Sequence, residues 1–243
     1  NFFHWLFDVL PRLGICEKKI DLNQIDYFLL PSISRKFQSE TFESLKIPNK
    51  KLISSEEYRH IKPDKLIITD HPYMITNNIE IDINNVPKWI IIWLREKFLS
   101  QIEYDKTHFP KKIYISREDS ESNVAKMRAV TNEDEIKNYL KNENFEIICL
   151  SDLSFIQQVK LFYTAECIVG LHGAGFANLS FCKEGTKVIE FVNIRNDYIL
   201  DNIAKINNLN FKSIRCEASS YDLGTQLGHI KVPLNDLKEK LKI

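Results

Sequence analysis

The sequence has no excess of either charge and no long hydrophobic segment. Its 243 residues include 33 Lys and Arg against 33 Asp and Glu, so the formal net charge at pH 7 is zero. Domains that bind nucleic acid by neutralising phosphates normally carry a basic excess, so this balance argues against a nucleic-acid partner. The apolar runs are all shorter than the roughly 20 residues that span a bilayer, which predicts no transmembrane segment in this chain.

Glycine, proline and cysteine are also scarce. The chain has 7 Gly, 8 Pro and 5 Cys beside 44% hydrophobic residues, which excludes disordered or collagen-like sequence and indicates a sizeable core. The cysteines are odd in number and form no Cys-x-x-Cys pair, which argues against a zinc cluster and a disulfide framework. Free thiols and a single N-glycosylation triplet, at Asn178, favour a reducing compartment.

Several well-known catalytic motifs are missing. There is no Gly-x-Gly-x-x-Gly fingerprint, no Walker A loop, no Gly-x-Ser-x-Gly elbow and no His-Glu-x-x-His motif. There is also no Asp-x-Asp, so a diphosphate held by a carboxylate-bound metal is not supported. The sequence therefore predicts no metal site and no cofactor.

The prolines divide the chain into two parts, since seven of the eight lie at or before Pro110. Beyond it, apolar runs alternate with helical patterns, which predicts βαβ units and a mostly parallel sheet. We expect an N-terminal half over residues 1–110 and a C-terminal Rossmann-like half over residues 111–243. The predicted strands are 27–30, 66–69, 113–116, 145–150, 167–171, 187–192 and 211–216. The predicted helices are 2–10 (ended by Pro11), 86–98, one capped by Thr131 with Asp134, one capped by Ser151, 174–181, 197–206 and one from Pro233.

The densest chemical signal is the run GLHGAGFAN at residues 170–178, which follows a predicted strand and leads into a predicted helix. Small residues there let backbone N–H groups approach an anion, and a helix N-terminus adds partial positive charge. Ligands of open α/β sheets bind at the carboxyl ends of the strands, where this run lies. A tight turn capped by His172 explains the pattern equally well.

Two arginines and one glutamate are further candidates. Arg117 directly follows the strand at 113–116, and a guanidinium there can clamp phosphate with two hydrogen bonds. Arg128 lies eleven residues further on. Glu190 is predicted near the end of its strand, where a carboxylate can bind a ribose diol. The alternative for each of these residues is an ordinary ion pair at the surface or the sheet edge.

His4 and Asp8 are spaced four residues apart on a helix that is otherwise almost entirely apolar. Burying a carboxylate is costly without a partner, and His4 is the obvious partner. The pair is either a satisfied structural contact or a general base whose pKa that environment tunes.

Taken together, these stretches resemble glycosyltransferase family 61. The matching parts are Asn1-Phe2-Phe3-His4 with Asp8, Ile115-Ser116-Arg117, Arg128 with Asn132-Glu133, and HGAGFANLSFCKEGTKVIEF from His172 to Phe191. The last run is the most specific. The resemblance extends from residue 1 to about residue 192 and is weak over residues 20–110.

The resemblance implies an α/β fold of the GT-B type, with two Rossmann-like halves around a cleft. About 110 residues make a small first half, and the chain starts at Asn1 inside an apolar stretch, so we expect that half to be incomplete. The implied activity is inverting, metal-independent transfer from a nucleotide-diphosphate sugar, with UDP favoured, to a glycan or polysaccharide hydroxyl, as in capsule biosynthesis. A bacterial enzyme of this kind would be cytoplasmic or membrane-associated, and a eukaryotic one would lie in the Golgi or ER lumen.

The resemblance also implies site residues. Asp8 is expected as the catalytic base, with His4 orienting it or serving instead, across the cleft from the donor. The residues expected at the nucleotide sugar are Arg117, Arg128, His172, Gly173, Ala174, Gly175, Asn178 and Glu190. A non-catalytic nucleotide-sugar-binding module is the main alternative. An acyl hydrolase is a weaker one, since the HGAG run is similar to an esterase oxyanion loop but no nucleophile elbow accompanies it.

Overall fold

The computed structural model describes residues 1–76, 78–118, 127–194, 199–219 and 228–242. Its strands are β1 (Phe28–Leu30), β2 (Leu52–Ser54), β3 (Lys112–Ser116), β4 (Glu146–Cys149), β5 (Cys167–Leu171), β6 (Lys187–Asn193) and β7 (Asn210–Cys216). Its α-helices are α1 (Phe2–His4), α2 (Leu10–Cys16), α3 (Lys36–Ser44), α4 (Ile79–Ile83), α5 (Lys88–Phe98), α6 (Glu133–Asn142), α7 (Phe155–Thr164), α8 (Ile199–Ile206) and α9 (Leu234–Lys242). A π-helical segment (Trp5–Val9) joins α1 to α2, and 3₁₀ helices lie at Leu22–Gln24, Asn49–Lys51, Leu99–Gln101, Leu150–Asp152 and Ala174–Phe181.

The main sheet has five parallel strands in the order β4-β3-β5-β6-β7. Every residue of β5 is buried, as expected for a central parallel strand covered on both faces. From β3 the chain runs outward to β4, whereas from β5 it runs the opposite way to β6. The topological switch point of the sheet therefore lies between β3 and β5. The predicted α/β class with a parallel sheet is confirmed.

The first 110 residues contain a second parallel pair, β1 with β2. Helix α5 packs the two parts of the chain together through Ile90, Ile91 and Leu94, which are completely buried. The Arg95 guanidinium on the same helix donates to the carbonyls of Ser180 and Cys182, at 2.9 and 2.8 Å. One continuous hydrophobic core thus includes residues from both parts.

The helical stretch at the start of the chain does not end at Pro11, contrary to the prediction. The π-helical segment intervenes, and Pro11 then lies in the first turn of α2. Proline is tolerated in a first turn because the N–H that it lacks needs no helical acceptor there. The helix consequently continues to Cys16.

The predicted strand at residues 66–69 is also wrong, because no strand in the described ranges pairs with that segment. Leu66 and Ile68 are 68% and 78% exposed. The backbone of this segment is instead held by Arg12, whose guanidinium donates to the Thr69 carbonyl at 3.0 Å. The partner of β1 is β2, which the apolar pattern did not reveal.

Neither of two predicted helix caps is used. Ser154, rather than Ser151, caps α7 in a reciprocal capping box with Gln157. No box forms at Thr131, because α6 begins at Glu133 and the Asn132 side chain instead pairs with the Val232 backbone in both directions. The stretch 174–181 is helical as predicted but of the 3₁₀ type. Helix α8 matches the described part of the predicted helix at 197–206, whose first two residues lie outside the described ranges.

Candidate active site

The candidate site lies where two adjacent strands of the main sheet end. Arg117 follows the last residue of β3, and the turn from His172 to Gly175 follows the last residue of β5. These are the two strands that flank the topological switch point, where open α/β sheets bind their ligands. The register of the sheet therefore brings together two motifs that are 55 residues apart in the sequence.

Arg117 and Arg128 converge on Gly173. The Arg117 Nη1 atom donates to the His172 carbonyl at 3.2 Å. A Cβ atom at Gly173 would lie 3.5 Å from that Nη1 and 3.8 Å from Nη2 of Arg128. Burial, together with the charge of Arg117, lowers the pKa of Arg128 to about 10, and the charge of Glu190 acts in the opposite direction. Two guanidinium groups beside the backbone of a glycine-rich turn can together bind an anion that has several oxygens.

His172 is held by Glu190. The Nδ1 atom of the histidine lies 2.5 Å from Oε1 of the glutamate, and both side chains are buried. The other carboxylate oxygen accepts a hydrogen bond from Ser213 at 3.2 Å. Glu190 thus orients His172, a role that the sequence did not predict, and its expected contact with the nucleotide stays a prediction. The strand also continues three residues beyond Glu190, to Asn193.

The residue that follows Arg117 contacts helix α6. Lys137 of α6, whose side chain is only 9% exposed, contacts Oε1 of Glu118 at 2.6 Å and Oε1 of Glu133 at 3.4 Å. The N–H of Glu118 donates in turn to the Ser116 hydroxyl at 3.3 Å. These contacts tie the residue after Arg117 to α6, whereas the pairing of β3 with its two neighbours places Arg117 at the strand end.

The glycine-rich turn is supported from inside the protein. Asn178 is completely buried, and its amide nitrogen donates to Gln158 Oε1 at 3.0 Å and to the Gly175 carbonyl at 3.1 Å. Ala174 is half-buried against the core. At Gly175 a Cβ would come within 2.6 Å of Leu150 Cδ1, so the turn passes close to the end of β4. The expected contacts of these three residues with a donor stay predictions.

The predicted His4–Asp8 pair is formed, with His4 Nδ1 2.7 Å from Asp8 Oδ2. The other Asp8 oxygen accepts a hydrogen bond from the Tyr73 hydroxyl at 2.6 Å. His71 Nε2 lies 4.0 Å from Oδ2. Helix α1, which carries His4, packs directly against the 3₁₀ helix that follows the glycine-rich turn. The element that carries His4 therefore neighbours the helix that follows the glycine-rich turn.

Sequence reasoning missed Tyr73, His71 and Lys137. Tyr73 and His71 come from an irregular segment 65 and 63 residues beyond Asp8, with no periodicity to show which way they face. Lys137 sits on a charged helix, where a lysine is ordinarily solvated. No local signal marks any of them.

One cavity lies at the edge of the sheet opposite the arginines. A cavity of about 400 Å³ is lined by Lys111, Glu166 and Thr186, at the amino ends of the strands and thus at the edge opposite Arg117. Within the described ranges, no group of three or more His, Cys, Asp or Glu side chains is arranged to hold a metal ion. None of the helices in those ranges is long and apolar enough to cross a membrane.

A parallel sheet with a cationic turn at its switch point is typical of proteins that bind nucleotides and their phosphate-bearing derivatives. A comparison with known families identifies the particular group: the model of the family described as Glycosyltransferase 61 matches residues 2–189. The chain belongs to the glycosyltransferase 61 family, as its resemblance predicted.

The chain is also similar to a curated protein of Mus musculus, the EGF domain-specific O-linked N-acetylglucosamine transferase. The two are 26% identical over 89 residues. That stretch covers 35% of this chain and 17% of the mouse protein, so this chain matches only a small part of its relative.

Proposed function

We propose that this chain transfers a sugar from a nucleoside-diphosphate donor to a hydroxyl group of a glycan or polysaccharide, with inversion at the anomeric carbon and without a metal ion. Membership of the family supports glycosyl transfer. The observation that carries the donor assignment is the convergence of Arg117 and Arg128 on Gly173 at the switch point. A UDP-sugar is the favoured donor. The name of the mouse relative makes UDP-N-acetylglucosamine the first donor to test.

The architecture that we propose is of the GT-B type, with halves at residues 1–110 and 111–243 around a cleft. The five-stranded parallel sheet supports a nucleotide-binding C-terminal half. The parallel β1–β2 pair, with α3 between its strands, supports a smaller Rossmann-like first half. His4 and Asp8 would then line the acceptor side of the cleft.

The chemistry proposed for the site is a single displacement. The acceptor oxygen forms a bond to the anomeric carbon while the bond from that carbon to the diphosphate oxygen breaks, and the electron pair leaves with the nucleoside diphosphate. The acceptor proton passes to the His4–Asp8 pair. Arg117, Arg128 and the backbone N–H groups at 173–175 stabilise the charge on the leaving group. Preorganised donors of this kind are worth about 3–4 kcal/mol each in the barrier.

Calorimetric titration with UDP, GDP and CDP, first in EDTA and then in magnesium, tests the donor site. We expect one nucleotide to bind in EDTA and Arg117→Ala to lose that binding while the chain stays folded. Arg59→Ala removes an exposed arginine of the first half and serves as the matched control. Binding that needs magnesium, or that survives in Arg117→Ala, would contradict the assignment.

A nucleotide-sugar-binding module without catalysis would give the same titration results. A turnover assay distinguishes such a module from an enzyme. Release of UDP from UDP-N-acetylglucosamine and other UDP-sugars, with a glycan acceptor present, supports transfer. Binding without turnover, together with no effect of Asp8→Asn on any rate, would favour the module.

A further inference from the structure

The carboxylate of Asp8 has a hydrogen-bond donor on each oxygen. Tyr73 Oη donates to Oδ1 at 2.6 Å, and His4 Nδ1 contacts Oδ2 at 2.7 Å. The Asp8 side chain is 22% exposed, against 45% for the His4 side chain. Tyr73 itself is 3% exposed, so its hydroxyl reaches Asp8 from inside the protein. Asp8 is therefore enclosed between the two rings, and His4 is the outer member.

These contacts determine which nitrogen of neutral His4 carries the proton. A carboxylate oxygen only accepts hydrogen bonds, so the Nδ1 atom that faces it must donate. The Nε2 atom of His4 is then left with a lone pair, which is the arrangement of an imidazole that acts as a general base. Both Asp8 oxygens are already engaged, which makes Asp8 the less suitable group to accept a proton from substrate.

His71 also faces this pair. Its Nδ1 atom accepts the backbone N–H of Met74 at 3.1 Å, so the proton of the neutral ring lies on Nε2, the nitrogen 4.0 Å from Asp8 Oδ2. Burial, which outweighs the charge of Asp8, lowers the pKa of His71 and favours that neutral ring.

Two further charged groups lie around the cluster. The Arg12 guanidinium donates to the Asp8 carbonyl at 3.0 Å and to backbone carbonyls of the segment that precedes His71. Asp82 accepts the backbone N–H groups of Ile75 and Thr76 just beyond Tyr73. Both groups therefore bond to backbone and leave the Asp8 carboxylate to Tyr73 and His4.

We propose that Tyr73 is a positioning residue of the transfer reaction, which fixes the Asp8 carboxylate so that His4 presents Nε2 to the acceptor hydroxyl. This inference rests on the proposed glycosyl transfer. In that reaction the acceptor proton moves to His4 Nε2 as its oxygen bonds to the anomeric carbon, and the nucleoside diphosphate departs with the electron pair. The imidazolium formed on His4 is stabilised by the negative charge of Asp8, which stays ionised throughout.

The tautomer of His4 provides a test that needs no donor. We would record long-range ¹H–¹⁵N spectra of the whole chain with labelled histidine and assign His4 through a His4→Gln variant. His4 should be protonated at Nδ1 and unprotonated at Nε2 at the pH where its ring is neutral. In Tyr73→Phe we expect a mixture of the two tautomers, since Oδ1 loses its donor and the carboxylate is free to rotate. A wild-type His4 protonated at Nε2, or an unchanged tautomer in Tyr73→Phe, would overturn the proposal.

Turnover of UDP-N-acetylglucosamine and other UDP-sugars gives the second test. Tyr73→Phe should lower kcat at least about tenfold, which is part of the roughly 100- to 10,000-fold that a general base supplies, and leave KM for the donor unchanged. Tyr104→Phe is the matched control, because Tyr104 is 83% exposed. Added imidazole should restore part of the activity of His4→Ala but none of that of Asp8→Ala.

The role of Tyr73 and the transfer activity fail on different measurements. A change in KM with kcat unchanged would overturn the role of Tyr73. Full activity in His4→Ala would show that Asp8 is the base and would also overturn it. A wild-type chain that turns over none of the donors would contradict the proposed function, and the tautomer measurement would still decide whether Tyr73 positions the pair.

Discussion

Adding a methyl group at Gly173 should weaken nucleotide binding without weakening the fold. The φ angle of Gly173 is 175°, which is extended backbone that alanine adopts freely. The new Cβ would lie 3.5 Å from Arg117 Nη1 and 3.7 Å from Arg117 Cζ, both ordinary van der Waals distances. We therefore expect Gly173→Ala to change the free energy of unfolding by less than about 1 kcal/mol, in the stabilising direction, because alanine restricts the unfolded chain.

The effect on binding follows from the same distances. The methyl group would occupy the space between the turn and both guanidinium groups, where an oxygen of a diphosphate must come within about 2.9 Å of a nitrogen. Losing one hydrogen bond to a charged group costs about 1.5–3 kcal/mol. The dissociation constant should therefore rise roughly 10- to 150-fold. Calorimetric titration with the nucleotide that binds the wild type measures this change.

Gly14→Ala is the matched counterpart, with the opposite expectation. Its Cβ would lie 2.9 Å from Nε1 of Trp93, where α2 crosses α5. Overpacking of this kind lowers the free energy of unfolding by about 1–3 kcal/mol. The higher helix propensity of alanine offsets up to about 1 kcal/mol of that loss. We expect a lower Tm with unchanged binding. Unchanged binding in Gly173→Ala, or a loss of stability there as large as in Gly14→Ala, would refute the assignment of the turn as the diphosphate site.

The remaining predictions concern ionisation and stability. Burial raises the pKa of Tyr73 and of Tyr114 far above the usual range, and the carboxylates of Asp8 and Glu133, respectively, add to the effect. Neither tyrosine should therefore ionise before the protein unfolds. Absorbance near 295 nm measures this ionisation. In the unfolded chain these tyrosines lose their protons at about pH 10, whereas in the folded protein they keep them. The free energy of unfolding should therefore fall as the pH rises above about 10. Urea denaturation at pH 9 and pH 11 should show a smaller fall in Tyr73→Phe, and an equal fall would contradict this account. Arg95→Ala should lower the free energy of unfolding by about 1.5–3 kcal/mol, since two carbonyls lose a charged donor, and a loss below 0.5 kcal/mol in urea denaturation would contradict it.

The C-terminal part of the fold was predictable from the sequence because its signals are local. A central parallel strand such as β5 needs apolar residues on both faces, and the run that follows it needs small residues, so both are visible without knowing their neighbours. The first part was predicted less well. Residues 66–69 have the composition of a strand, but a strand forms only where another strand offers hydrogen bonds. Among the residues that the structure describes, no strand lies beside them.

The N-terminal ends of two helices were also predicted incorrectly. Ser151 and Thr131 are chemically suitable caps, and neither serves as one. The Leu150–Asp152 turn moves the start of α7 to Ser154, and Asn132 pairs instead with Val232, 100 residues away. At Asn132 a tertiary hydrogen bond replaces the local capping contact, so that boundary depends on the folded chain. The start of α7 instead follows a local Ser-x-x-Gln capping box at Ser154.

The sequence by itself determined the class of the sheet, the glycine-rich turn after β5, the arginine after β3 and the His4–Asp8 pair, since each depends on residues within a few positions of one another. Only the tertiary structure decided which of these meet. Adjacent parallel strands end at one edge, which brings Arg117 to the His172 carbonyl, and a distant irregular segment brings Tyr73 to Asp8. Such contacts depend on register and packing between segments that are 55 and 65 residues apart, and no local pattern of side chains encodes them.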